Sequence, residues 1–428
     1  MKKSFLLLLI VASSATYGQK ALKIITVEET ERIEKILSSD AMEGRRTFSP
    51  GIEKAASFIA SEFEKTGLQK FNNANSYLQS FAMIKAKPTK QTVVFDGVEV
   101  DAKKTLILSP KASVNATEKS GYQIVKIAKG MNFATEARKL LSSPKNTIVI
   151  ADSSHSGMFG RFAQMRSQMF SSQPNVVMVL GSDLPKTFSI EAAQEITEMP
   201  LANVVGVLPG KSKPNEIVIF SGHYDHLGIN SKRMVNNDSI YNGANDDAAG
   251  TTAMIMLSKY YKKLNDNERT IIFAAFTAEE VGGFGAQHFS RQFDPASVVA
   301  MFNIEMIGTE SKWGKNSAYI TGFEKTNMGA ILQKNLDNTG FTFHPDPYTD
   351  QNLFYRSDNA TLARLGVPAH TISTSKMDSE PNYHKASDEI STLDLENMTA
   401  IIRSIALSAK GIVSGKDTPT RVDTTTLK

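Results

Sequence analysis

The chain has 428 residues, 41% of them hydrophobic, with a formal charge of +4 and no cysteine. That length suits one large domain with an insertion, or two domains, and the hydrophobic share suits a folded globular chain rather than a disordered one. The small charge, with no dense Lys/Arg block, argues against a nucleic-acid partner, and the lack of cysteine excludes disulfides and a lipidated Cys.

In chain order, MKKSFLLLLIVASSATYGQK sets Lys2 and Lys3 before an apolar stretch of about ten residues, followed by small and polar residues near Gly18. This pattern predicts a cleaved export signal over residues 1–18 and a periplasmic or secreted product. A membrane span needs about twenty apolar residues, so no stable membrane insertion is expected after cleavage. The next stretch alternates two helical patterns around a loop at Glu43 to Gly51 that carries Arg45, Arg46 and Pro50, and Ala55, Ile59 and Phe63 recur on one helix face.

From Lys85 to Met199 the texture changes to short β-like runs, QTVVFDGVEV, KNTIVIAD and NVVMVLGS, which predict an inserted β-rich module over residues 85–199. Its Met-rich stretch GMFGRFAQMRSQMFSSQ reads as core or a loose surface lid rather than a cofactor site. From Val204 the order becomes strand, loop, helix: NEIVIF runs into SGHYDHLG, RTIIFAAF into TAEEVGGFG, and SVVAMFNI into EMIGTE, with helical AGTTAMIMLSKYYKKL between the first two. Continuous apolar strands alternating with helices predict an α/β fold, a mostly parallel or mixed central sheet with helices on both faces. The corresponding domain is discontinuous, residues 19–84 and 200–414, and residues 415–428 read as a polar tail.

The ionisable groups fall at the strand ends. His223 and Asp225 follow one apolar strand, Glu279 and Glu280 the next, and Glu305 a third, while Asp246 and Asp247 precede the intervening helix. Open α/β sheets bind ligands beyond the carboxyl ends of their strands, so these groups are expected to converge on one cleft. So many carboxylates repel one another unless cations lie among them. Imidazole with carboxylate suits zinc, with manganese or cobalt as weaker candidates, and a carboxylate bridging two ions about 3.5 to 4 Å apart is the arrangement of co-catalytic hydrolases. Asp246 is the expected bridge. Taken singly, each part has a plain reading: an HxD is common, paired glutamates cap helices, and an Asp pair before Ala-Ala-Gly is an ordinary N-cap.

The succession GHYDHLG, NGANDDAAGT, AAFTAEEVGGFG, FNIEMIG and NYHKASDE resembles the co-catalytic zinc aminopeptidase family, which also contains glutamate carboxypeptidases. SSDAMEGRRTFSPGIEKAASFIA and NVVGVLPG resemble the same family, so the likeness covers residues 28–412, and the insertion lies where many members carry a protease-associated domain. The resemblance implies a zinc-exopeptidase-like fold, a peptide or protein substrate, and two Zn2+ per chain, with Mn2+ or Co2+ as substitutes. It makes His223 a ligand of the first metal, Asp246 the bridge, and Glu280 with His384 the holders of the second. Glu305 stands where Asp is usual, and Lys385 where Thr is more common. Glu279 becomes the general base and Asp225 the partner that fixes the tautomer of His223, and a cis peptide bond joins Asp246 to Asp247.

Other residues keep two readings. Asp388 orients His384 or is a solvated loop carboxylate; His226 supports the site or is structural; Arg356, in YRSDNATLARLGVPA, reads a substrate carboxylate or sits on the surface. His155, His288, His344 and His370 read as structural. The implied activity is metal-dependent exopeptidase action, as an aminopeptidase first, with a carboxypeptidase, another zinc hydrolase such as a glutaminyl cyclase, or a non-catalytic peptidase-like binding protein as alternatives. The presence of His223 disfavours the cyclase, and the lack of Cys and of a GxSxG elbow disfavours a nucleophilic Ser or Cys.

Overall fold

Strands that are apolar at every position need a buried surface on both faces, and the runs IVIF, IIFAAF and VVAMF find one. In the computed structural model, which describes residues 21–141, 143–165 and 168–427, they form the middle of a sheet. The expected export signal lies outside the described residues. Among the described residues no helix is long and apolar enough to cross a membrane. The chain divides into two units, one made of the residues up to Ser80 together with those from Leu201 onward, the other of Phe81–Pro200.

In the first unit the strands are the C-terminal part of β1 (Phe188–Leu208), β2 (Lys213–His223), β3 (Arg269–Phe276), β4 (Val298–Ile304), β5 (Ser317–Ile320), β6 (Thr342–Pro345) and β7 (Ala369–Ser373). Their order across the sheet is β6, β5, β7, β4, β2, β3, β1. Strands β2, β3, β4 and β7 run parallel, with His223 opposite Phe276 and Ser221 opposite Asn303, while β1 is antiparallel to β3, β5 is antiparallel to β7, and β6 is parallel to β5. The parallel run puts the carboxyl ends of β2, β3 and β4 at one edge.

Alternation along each strand sorts side chains into two cores. Val218, Phe220, Ile271, Phe273, Ala300 and Phe302 pack on one face with helices α1 (Val27–Leu37), α2 (Pro50–Thr66) and α3 (Ala249–Leu264). Ile219, Ile272, Ala274 and Met301 face the other way, against α4 (Phe284–Ser290) and α5 (Asn359–Ala363). The first face also takes α6 (Leu395–Ser408). Phe220 is its hub, with ring centroids 4.8 Å from Phe302, 5.3 Å from Tyr261 and 5.9 Å from Phe273. Truncating such a ring to Ala costs about 3–5 kcal/mol.

Helix α2 starts with Pro50 at its first position and stops at Gly67, which takes the left-handed conformation that ends helices. The polar stretch after Gly415 is not loose. Arg269, itself buried, donates to the carbonyl of Asp417 and to Thr418 Oγ1, each at 2.6 Å, and Arg421 donates to the carbonyl of Val298 at 2.7 Å. Its composition is that of a tail, but its polar groups are tied to the body.

The second unit holds a four-stranded sheet in the order Thr105–Leu108, Val176–Leu180, Thr147–Ala151, Gln123–Ile127, the last three parallel and the first antiparallel. Ile148 and Ile150 enter one core, Val149 and Ala151 another. The unit also contains helices, Phe133–Leu141 and Ser156–Met165, so it is more mixed than its β-like runs suggest. Of the Met-rich stretch, Phe159, Phe162 and Met169 are buried in one of these clusters, while Met158 is exposed.

Candidate metal centre

The site is built on the ends of β2, β3 and β4 and on the turn Ala244–Ala248 that leads into α3. His223 is the last residue of β2, Glu305 follows β4 directly, and Glu279 and Glu280 follow β3. The turn contains the cis peptide bond Asp246–Asp247. Asp247 braces it: Oδ2 accepts from the backbone N–H of His223 at 3.1 Å, and Oδ1 from those of Gly250 and Met306, each at 3.0 Å. Gly250 lets the start of α3 meet the end of β4, because a Cβ there would lie 2.0 Å from the carbonyl oxygen of Ile304.

Asp246 lies between two imidazoles. Its Oδ1 is 3.2 Å from His223 Nε2 and its Oδ2 is 3.2 Å from His384 Nε2. His384 Nε2 is also 3.3 Å from Glu280 Oε2, and the His384 ring stacks on Tyr383 at 4.0 Å. Ligand atoms of His223, Asp246 and Glu305 lie within 4.8 Å of one another, as do those of His226, Asp246 and Glu280. His223, Asp246, Glu280, Glu305 and His384, the expected ligands, are brought together here with His226, which had kept two readings, and Glu305 converges despite its extra methylene.

Two of the sequence expectations change in detail. The Nδ1 atom of His223 faces the backbone carbonyl of Asp225 at 3.1 Å, whereas the Asp225 carboxylate is 3.8 Å away. That carboxylate instead accepts from the backbone N–H groups of Glu279 at 3.0 Å and Glu280 at 3.3 Å, and from Thr47 Oγ1 at 3.0 Å. Asp225 therefore ties the ends of β2 and β3 together. Asp388 is buried and holds Asp246 rather than His384: its two oxygens accept from the backbone N–H groups of Asn245 at 2.8 Å and Asp246 at 3.0 Å.

His226 is buried and its Nδ1 lies 2.8 Å from Glu280 Oε1. His370 is inside β7, with Nδ1 2.8 Å from the carbonyl of Thr321, and His344 stacks on Trp313 at 4.0 Å; both are structural.

Sequence reasoning did not single out Arg45. It is fully buried and donates to four carbonyls: Tyr224 at 2.9 Å, Leu37 at 2.6 Å, Asn242 at 2.5 Å and Gly243 at 2.8 Å. These flank Asp225 on one side and Asp246 on the other. Gly44, at φ +65°, brings the loop this close, since a Cβ there would lie 2.6 Å from the carbonyl of Tyr241. A signal was present in the run EGRR, in a loop otherwise built of turn residues.

The electrostatics are those of a crowded anionic site. Burial pushes Glu279 well above the usual carboxylate range, and the nearby charges of Glu305, Asp358 and Glu280 add to the rise. Burial likewise pushes Asp358 up to about 8, and neither of its carboxylate oxygens has a hydrogen-bond partner. Although burial alone would lower it, contact with Asp246 and Glu280 lifts His384 to about 10.

These residues fit divalent metal ions. His223 Nε2 is buried without a hydrogen-bond partner, although it is 3.2 Å from a carboxylate oxygen. Two donors each bound to a tetrahedral zinc ion lie about 3.3 Å apart, so a spacing of this size suits shared coordination. Three carboxylates with two imidazoles form a donor set suited to zinc.

Residues 203–409 match the family model described as Peptidase family M28. A probable leucine aminopeptidase of Trichophyton verrucosum is 26% identical over 206 residues, 46% of this chain and 53% of that protein. A probable zinc metalloprotease of Pyrenophora teres is 33% identical over 110 residues, 25% of this chain and 23% of that protein. The chain thus spans about a quarter to a half of the curated relatives it matches. Among solved structures, an aminopeptidase from Aneurinibacillus sp. strain AM-1 superposes with a TM-score of 0.55 at 17% identity, covering 92% of this chain and 95% of that one. BSAP, a zinc aminopeptidase from Bacillus subtilis, does so with a TM-score of 0.54 at 16% identity, over 92% and 97%. At these identities the likeness is one of fold.

Proposed function

We propose that the chain, whose residues 203–409 match the model of Peptidase family M28, is an exported, zinc-dependent exopeptidase that acts on the amino termini of peptides. The observation that carries this reading is the Asp246 carboxylate, 3.2 Å from both His223 Nε2 and His384 Nε2. His223, Asp246 and Glu305 would hold one ion; Asp246, Glu280 and His384 would hold the other. When bound, the pair of zinc ions supplies Lewis-acid activation of water and of the scissile carbonyl, and stabilises the negative charge that develops there.

Glu279 takes the proton from the attacking water and gives it to the leaving amine. The Asp225 carboxylate anchors the Glu279 backbone N–H at 3.0 Å, which fixes the start of the segment that aims this base. Arg45, Asp247 and Asp388 hold the backbone around Asp246, so the bridging carboxylate is positioned before substrate arrives. Action at the amino terminus is supported by the name of one sequence relative, a probable leucine aminopeptidase. Export is supported by Lys2 and Lys3 ahead of an apolar run and small residues near Gly18.

The test is a panel of short peptides, free or acetylated at the amino terminus, given to the zinc-loaded protein and to its Glu279→Gln variant. The expected result is release of the first residue from free peptides only. The variant should lose about 10²–10⁴-fold in kcat while keeping its zinc. Cleavage of acetylated peptides from the other end would replace the aminopeptidase reading by a carboxypeptidase one. Loss of zinc along with turnover in the variant would remove Glu279 from the role of base.

A further inference from the structure

Past Glu305 the cleft continues into an open pocket of about 410 Å³ of free space, mouth included, whose lining includes Met306, Leu353, Met377, Tyr383 and Arg356. Its hydroxyl groups are largely committed elsewhere. Tyr319 donates to the carbonyl of Ser375 at 3.1 Å, Thr371 to Asn359 Oδ1 at 2.9 Å, and Ser373 to the carbonyl of Met306 at 3.2 Å. Arg356 is different. It is exposed, and its guanidinium makes only long contacts to neutral groups, Tyr383 Oη at 3.4 Å and Gln351 Oε1 at 3.5 Å. No carboxylate among the described residues pairs with it within 4.0 Å.

We propose that this pocket is a subsite for a substrate carboxylate and that Arg356 is the residue that reads it. The inference deepens the peptidase reading and rests on it. A guanidinium offers a planar fork of donors matched to a carboxylate, and here the fork is uncommitted at the mouth of the cleft. Its neighbour Tyr383 stacks on the candidate ligand His384, so Arg356 lies one side chain from the proposed metal centre. Met306, Leu353 and Met377 provide apolar wall for the methylene stem of an acidic residue. Glu305 lines the same pocket, and on the proposed reading an ion absorbs its negative charge. The carboxylate has two possible sources: the side chain of a Glu or Asp residue, or the free carboxyl terminus of a short peptide.

The experiment has two arms and uses the full zinc-loaded chain, wild type and Arg356→Gln. In the first, kcat/KM is compared between Glu and Gln amides of one chromophoric amine, and between Leu-Gly dipeptides with free and amidated carboxyl termini. A preference of about tenfold for Glu over Gln, lost in Arg356→Gln mainly through KM, supports the proposal with a side-chain source. The same preference for the free over the amidated dipeptide supports it with a terminal source. In the second arm, binding of glutamate and glutamine is measured by calorimetry, without turnover. Glutamate binding that is tighter than glutamine binding and depends on Arg356 supports the subsite even if no peptide is cleaved, an outcome that would reject the peptidase reading alone. Equal ratios and equal binding in both proteins overturn the proposal, and turnover of the neutral substrates would then leave the peptidase reading standing.

Discussion

His226 Nδ1 lies 2.8 Å from Glu280 Oε1, while the other oxygen of that carboxylate faces His384 Nε2 at 3.3 Å. One oxygen is braced by a normal hydrogen bond and the other is turned toward the candidate metal position, which is how a partner outside the ligand set orients a ligand. Replacing His226 by Ala should weaken the ion held by Glu280 and His384 by about 10–100-fold and leave the His223 side nearly unchanged. Competition with a chromophoric chelator measures both affinities. Two unaltered affinities would show that His226 has only a packing role.

Arg45 is the hub that joins the loop at Glu43 to Gly51 with the segments carrying Asp225 and Asp246. Its guanidinium serves four carbonyls at once, and removing one partner of a buried charged network leaves the other groups short of a donor. Arg45→Met should lower unfolding free energy by about 3–5 kcal/mol, with Arg45→Lys between it and the wild type. Urea unfolding of the metal-free protein measures this. A loss for Arg45→Met below about 1 kcal/mol would mean that the carbonyls find other donors.

Glu34, which feels the charges of Arg45 and Asp388, gives a pH prediction. Burial pushes its carboxyl from 4.5 up to about 8; Thr252 Oγ1 donates to one oxygen at 2.8 Å, and the other has no partner. The folded state therefore binds a proton that the unfolded chain gives up between pH 4.5 and about 8, so this group's contribution to stability falls as pH rises through that window. Glu34→Gln, which keeps the shape and stays neutral, should flatten the decline of Tm between pH 5 and 9. A variant with the wild-type slope would assign the decline to other groups.

Much of the fold and the metal centre was legible because it is local in sequence. Strands β2, β3 and β4 are buried on both faces and so read as unbroken apolar runs, and His223, Asp225, Glu279, Glu280 and Glu305 lie at or within a few positions of their ends. The bracing was not legible. Arg45 meets its partners 179, 197 and 198 residues away, and Asp388 lies 143 residues from Asn245. No local pattern marks a carboxylate that holds a distant turn, so Asp388 kept two readings. Asp225 was assigned to the correct neighbourhood, but its carboxylate grips the backbone after β3 and leaves His223 Nδ1 to a carbonyl. The stretch after Gly415 misled for a similar reason, because it is anchored to Arg269 and Val298, more than a hundred residues away, and composition does not register such contacts.

Cations lying among these carboxylates and imidazoles are what lets the groups converge, and the zinc content of the folded chain tests that. Protein equilibrated with zinc and then desalted should retain two ions per chain by atomic emission, and Asp246→Ala, which removes the shared ligand, at most one. Fewer than one ion per folded wild-type chain, or two ions still held by Asp246→Ala, would contradict it.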